Sequence, residues 1–236
     1  MNYNYIAKLL ASWTPESKQH MWQLSGQFEG DIILPPGTRN GIIGWQYHWN
    51  NGEIPYVLSS DFTEDEKTFI INTLQTEYAR TCIKMRPKQW WELHYVYVTG
   101  KDTGCWSSVG KRWGKQELNL QKDGCLWYGT IVHEFLHAAG FFHQQSAPER
   151  DDYVTILWQN ILPGKESNFN KYSSNVVTSF GKKYDYDSIM HYDKYAFSSN
   201  GEPTILPNVS ILFFVKVKKQ IRKRIETILH LASRSA

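Results

Sequence analysis

The chain has 236 residues, 41% hydrophobic and 21% charged, with a mean hydropathy of −0.50; these values suit one globular domain with a short appendage and exclude a disordered chain. No apolar run reaches the roughly 18 residues that span a bilayer, which excludes a membrane-spanning helix, and aromatics at 15%, with 10 Trp and 14 Tyr, fit a stiff core and a cleft lined with rings. The net charge of +3 belongs to the end of the chain: residues 209–236 hold seven Lys/Arg and one acid, whereas residues 1–208 hold 19 basic and 22 acidic groups, so a nucleic-acid-binding face on the body is excluded.

Met1 to Ala11 offers a six-residue apolar patch, Ile6 to Ala11, broken by Lys8. That is too short for the core of a signal peptide, so either export does not use this segment or the native start lies upstream. Leu34-Pro35-Pro36-Gly37-Thr38-Arg39-Asn40-Gly41 reads as an exposed, cleavable joint at Arg39. Asn51-Gly52 turns into a strand at Ile54–Leu58. Thr63-Glu64-Asp65-Glu66 is a capping box, and Ile70, Leu74 and Tyr78 at spacing four predict a helix to about residue 80.

Leu93 to Val98 and Glu117 to Leu120 predict strands. Ile131 to Ala139 predicts a helix closed by Gly140 in the left-handed region. From Val154 the pattern is mixed and loop-rich. The whole is α+β with a sheet-rich first half. Of the three cysteines, Cys105 and Cys125 sit in similar Gly-Cys settings 20 residues apart, which suits a disulfide in an oxidising compartment; two free thiols are the alternative.

The chemistry concentrates in His133-Glu134-Phe135-Leu136-His137-Ala138-Ala139-Gly140-Phe141-Phe142-His143. One helical turn separates His133 from His137, putting their Cβ atoms about 5–6 Å apart on one face. Two such imidazoles grip an ion with nitrogens at about 2.0–2.1 Å. Glu134 stands roughly 100° further round, able to reach a water at the ion without being a ligand. Gly140 permits a sharp turn that brings His143 round as the third ligand. Three neutral ligands leave a doubly positive ion with an open position, where water becomes acidic near neutral pH. The full pattern is expected by chance about 3 × 10⁻⁵ times in a chain of this composition.

Downstream stands Ser188-Ile189-Met190-His191-Tyr192. The zinc motif followed by such a Met-turn is the metzincin pattern. With Cys105-Trp106-Ser107, Gly124-Cys125, Gly129-Thr130-Ile131, Arg150-Asp151 and Tyr184-Asp185-Tyr186, the chain resembles the astacin family of zinc endopeptidases from about Phe28 to Asn208. Gly164-Lys165-Glu166-Ser167-Asn168-Phe169 is similar to arthropod, particularly spider, members.

The resemblance implies the metzincin fold: an N-terminal subdomain with a twisted, mostly parallel sheet and the active-site helix, an irregular C-terminal subdomain, and a cleft between. It implies one zinc on His133, His137 and His143, with Met190 as an apolar floor and Tyr192 as the tyrosine that ligates zinc at rest and moves to the oxyanion. Glu134 would carry the proton. His191 is structural, the three-histidine set being complete. Phe28-Glu29-Gly30-Asp31 resembles the F-x-G-D motif of astacin pro-segments, whose aspartate, here Asp31, takes the place of the catalytic water. The expected organisation is a latency segment at 1–39, a catalytic domain at 40–208 and a divergent basic tail at 209–236.

Substrates would be proteins or peptides, lying extended against an edge strand near Trp106-Ser107-Ser108. A separate protease would activate the chain, which is expected to be secreted. Membrane contact by the tail, through Val217, Ile221, Ile225 and Ile228 at helical spacing, is the less favoured reading.

Two departures stand out. The residue after the third histidine is Gln144 where astacins usually have Glu, and Ala147-Pro148-Glu149-Arg150-Asp151 keeps only part of the usual R-x-D-R-D. Cys82 matches a cysteine that in astacins pairs near the C-terminus, and no partner for it stands in this sequence. The alternative function is therefore a catalytically impaired, zinc-binding relative with an altered terminus.

Overall fold

The computed structural model describes residues 3–14, 17, 20–34, 47–79, 81–179 and 181–208. The joint at Arg39 and the basic segment after Asn208 lie outside them. Strands β1 (Ile32–Ile33), β2 (Glu53–Leu58), β3 (Lys84–Pro87), β4 (Tyr95–Thr99), β5 (Cys105–Ser108) and β6 (Lys115–Leu120) form one sheet in the order β1-β5-β6-β4-β2-β3. All its pairings are parallel except β5 with β6. A second, antiparallel pair joins β7 (Val154–Ile156) to β8 (Ile205–Pro207).

The alternation in β4 shows why these residues make a sheet. Val96 and Val98 are buried while Tyr95 and Tyr97 are half-buried, one face of the pleat turned to the core. The strand begins two residues after the predicted Leu93, which is exposed.

Among the described residues four α-helical stretches accompany the strands: α1 (Tyr3–Ala11), α2 (Glu64–Tyr78), the kinked turn α3 (Lys122–Cys125) and α4 (Tyr128–Ala139). None of them is long and apolar enough to cross a membrane. The capping box of α2 forms, with Thr63 N–H donating to Glu66 Oε2 at 2.8 Å and Glu66 N–H to Thr63 Oγ1 at 3.3 Å. Helix α4 starts three residues before the predicted Ile131, because its first turn, Tyr128-Gly129-Thr130, needs no apolar face.

Cys105 and Cys125 are disulfide-bonded, tying β5 to α3, and Cys82 is free and exposed. Two cores result. The first packs Ile54, Val96, Val98 and Leu118 of the sheet against Ile70 and Leu74 of α2 and Ile131, Phe135 and Ala138 of α4. The second gathers Val154, Ile156, Phe169, Tyr184, Tyr192, Phe197 and Ile205. Trp22 packs against both. Not all the aromatic excess is core: Trp90 and Trp113 are 86% and 88% exposed.

Candidate metal centre

Helix α4 separates its two tasks by angle. Ile131, Phe135 and Ala138 recur at steps of four and three and face the first core, each fully buried and worth about 1.5–3 kcal/mol for a large side chain. His133 and His137 occupy another face. Gly140 ends the helix at φ 117°, where an L side chain is strained, and its N–H closes onto the Leu136 and His137 carbonyls. The chain then turns so that His143 meets the other two histidines.

Each ring is fixed from behind. His133 Nδ1 donates to the Ile189 carbonyl, His137 Nδ1 to the Phe141 carbonyl and His143 Nδ1 to Glu29 Oε2, all at 2.8 Å. Carbonyl and carboxylate oxygens only accept, so Nδ1 carries the proton and Nε2 turns its lone pair inward. The three Nε2 atoms and the Asp31 carboxylate then lie within 4.8 Å of one another, all buried. His143 Nε2 is 3.3 Å from His133 Nε2. Asp31 Oδ2 is 3.0 Å from His133 Nε2, and its Oδ1 is 3.3 Å from His143 Nε2 and 3.5 Å from His137 Nε2.

Lone pairs aimed at lone pairs repel unless a cation sits among them. Tetrahedral ligands about 2.0–2.1 Å from zinc stand about 3.3–3.4 Å apart, and the four separations given above, 3.0–3.5 Å, bracket that value. His137 Nε2 and Asp31 Oδ1 have no hydrogen-bond partner among the described residues, as expected of atoms reserved for a metal. The donor set, three imidazoles and a carboxylate, suits zinc.

Electrostatics inside the group are strong. Burial alone would raise Asp31, but positive charge at His143, and less so at His137, holds it well below the usual carboxylate range, the same field that a bound cation supplies. Burial pushes His137 down to about 4 against the pull of Asp31. For His143 burial also acts downward, yet the negative charges of Asp31 and Glu29 outweigh it and favour positive charge at this ring, the pull that a cation on its Nε2 would answer. Glu134 is fully buried, both its oxygens lack partners among the described residues, and burial with the nearby Asp31 charge raises it well above its ordinary value.

Tyr192 lies against His143, ring centroids 4.8 Å apart, but its hydroxyl donates to the Glu29 carbonyl at 2.6 Å. Met190 is buried, and its carbonyl accepts from Gln144 N–H at 2.8 Å. With the Ile189 carbonyl behind His133, the Met-turn main chain holds both ends of the ligand set. His191 stands outside the metal group, between the Tyr184 hydroxyl and the Tyr192 carbonyl at 2.6 Å each.

The N-terminal segment enters this site as an extended strand: β1 pairs Ile32 with Ser107 and Ile33 with Ser108, and Ser107 N–H donates to the Asp31 carbonyl at 2.8 Å. Gly30 is required twice over, since it adopts φ 93° and a Cβ there would meet Trp22 at 3.0 Å and Phe197 at 3.1 Å. Trp22 stacks on His133, ring centroids 6.0 Å apart. Beside it opens a cavity of about 590 Å³ whose lining includes Trp13, Trp22, Trp127, Thr130 and Ile189. Sequence reasoning missed the parts played by Trp22, Glu29 and Tyr172. Glu29 was visible only as the variable place of a four-residue motif.

A helix-borne pair of histidines, a third beyond a glycine turn and a non-ligand glutamate beside them define a zinc metallopeptidase centre. The family model for the astacin peptidases matches residues 42–225, running past 208 into the segment assigned to the basic tail. The chain belongs to the astacin family.

Human meprin A subunit beta is 47% identical over 187 residues, covering 78% of this chain and 26% of its own length. Zinc metalloproteinase nas-4 of Caenorhabditis elegans is 41% identical over 192 residues, covering 77% of this chain and 61% of its own. The chain thus spans a quarter to three-fifths of these two relatives. Among solved structures, the hatching enzyme HCE-1 from the medaka Oryzias latipes matches with a TM-score of 0.66 and 37% identity, covering 72% of this chain and 87% of the other.

Proposed function

We propose that this chain is the latent form of a secreted zinc endopeptidase, residues 1–39 acting as the pro-segment and residues 40–208 as the catalytic domain. The observation that carries this reading is the Asp31 carboxylate lying among the three inward Nε2 atoms while Ile32 and Ile33 occupy the edge of β5. A carboxylate there excludes water from the reacting position, and the strand excludes an extended substrate from its ladder.

Zinc, held by His133, His137 and His143, supplies the Lewis acidity that polarises the scissile carbonyl and acidifies the attacking water. Glu134 takes the proton of that water and passes it to the leaving amine. Its burial keeps the carboxylate free of competing hydrogen bonds from the described residues. Once Glu29 departs, the Tyr192 hydroxyl is released to donate to the developing oxyanion. The β5 edge receives the substrate main chain, and the cavity beside Trp127 and Ile189 takes a side chain. An activating protease cuts in the segment around Arg39. Secretion fits the Cys105–Cys125 disulfide, which needs an oxidising compartment to persist.

The test is peptide cleavage by intact chain, by chain trimmed after Arg39, and by intact Asp31→Ala. Trimming and Asp31→Ala are expected to raise activity; equal rates in all three reject latency. In the trimmed protein Glu134→Gln is expected to keep one zinc per chain by metal analysis and lose about 10²–10⁴-fold in rate. Full activity in that variant rejects the role of Glu134.

A further inference from the structure

Two of the three histidines are oriented by main-chain carbonyls of the body of the protein, at Ile189 and Phe141; the third, His143, is oriented by a side chain from the N-terminal segment. We propose that Glu29 is a positioning residue of the metal centre, fixing His143 as a ligand independently of Asp31, so that the segment builds the zinc site as well as filling it. The proposal rests on the zinc and pro-segment readings above.

Glu29 is 1% exposed and uses every oxygen it has. Oε2 accepts from His143 Nδ1 at 2.8 Å, Oε1 accepts from the Tyr172 hydroxyl at 2.6 Å, and the carbonyl accepts from the Tyr192 hydroxyl at 2.6 Å. Its backbone sits at φ 49°, a left-handed conformation that non-glycine residues seldom adopt. A glycine would relieve that strain but could not reach His143. A buried carboxylate on the far nitrogen of a metal-bound imidazole locks the tautomer and makes the inward nitrogen a better donor, and removing such a partner typically costs about 10–100-fold in metal affinity. The Tyr172 hydrogen bond keeps the carboxylate from rotating away. When the segment leaves, His143 therefore loses its acceptor while His133 and His137 keep theirs.

The experiment is a double-mutant cycle on the full chain. Zinc release to a chromogenic chelator, and the visible spectrum of the cobalt-substituted protein, are measured for wild type, Glu29→Ala, Asp31→Ala and the double variant. If Glu29 acts through His143, Glu29→Ala weakens zinc about 10-fold or more in both backgrounds and shifts the cobalt spectrum even when Asp31 is already gone. If Glu29 merely seats Asp31, its removal has no further effect in Asp31→Ala, and the proposal falls.

Glu29→Gln guards against misfolding, because its amide oxygen still accepts from His143 Nδ1. Release within about threefold of wild type for Gln alongside a tenfold rise for Ala supports the role. A Gln variant as leaky as Ala overturns positioning by the hydrogen bond. A wild-type chain that binds no zinc at all would instead reject the metal reading on which the proposal rests.

Discussion

Between residues 53 and 139 the frame is main-chain ladder and helix: β2, β4 and β6 run side by side, α2 closes its N-terminus with the Thr63–Glu66 box, and α4 lays an apolar stripe on them. Between 144 and 207 the only ladder among the described residues is the three-residue pairing of β7 with β8, and the rest is loops and short 3-10 turns. There the hold comes from rings and side chains. Tyr153 stacks on Tyr184 at 4.8 Å, the Tyr186 hydroxyl reaches the Tyr153 carbonyl at 2.8 Å, and buried Arg150 donates to the Gln145 carbonyl at 2.9 Å. The first region resists deformation as a unit; the second places individual groups against the metal ligands. The first side thus supplies most of the stability and presents two of the ligands on α4, while the second orients them.

Three variants can break that division. Phe135→Ala, in the first core and fully buried, is expected to cost about 3–5 kcal/mol in urea unfolding while the folded fraction keeps its zinc. Loss of zinc at native folding would show that the two sides are not separable. Replacing Cys105 and Cys125 by serine, opening a bond across 20 residues, should cost about 3 kcal/mol by the same measurement. Tyr184→Phe removes one hydroxyl from the chain Tyr184–His191–Tyr192 main chain and should cost only about 1 kcal/mol globally. Hydrogen exchange should nonetheless quicken at residues 188–192 and not in the sheet.

The sheet side was also the legible side. Val96 and Val98 alternate, Ile70 and Leu74 repeat at four, and the Thr63 box is local, so each signal lies within a few residues of its effect. His133, His137 and His143 were readable for the same reason, the glycine at 140 supplying the bend. What escaped was contact at long range. Glu29 meets His143 across 114 positions and Tyr172 across 143. The acceptors behind His133 and His137 are main-chain oxygens of Ile189 and Phe141, which leave no mark on residue type. Helix α4 began earlier than its apolar run because a first turn is held by hydrogen bonds and not by burial. The exposed Trp90 and Trp113 show that aromatic content alone does not say which rings are inside.

Strand β1 has one more effect. It is only two residues long, yet it caps the outer border of the six-stranded sheet at Ser107 and Ser108. A bare border of that kind offers unsatisfied amides and carbonyls to any stretched chain, a neighbouring copy included. On the latent-form proposal, the segment that fills the metal group also shields the sheet from self-association, and cutting it away would expose at once a reactive centre and an adhesive seam.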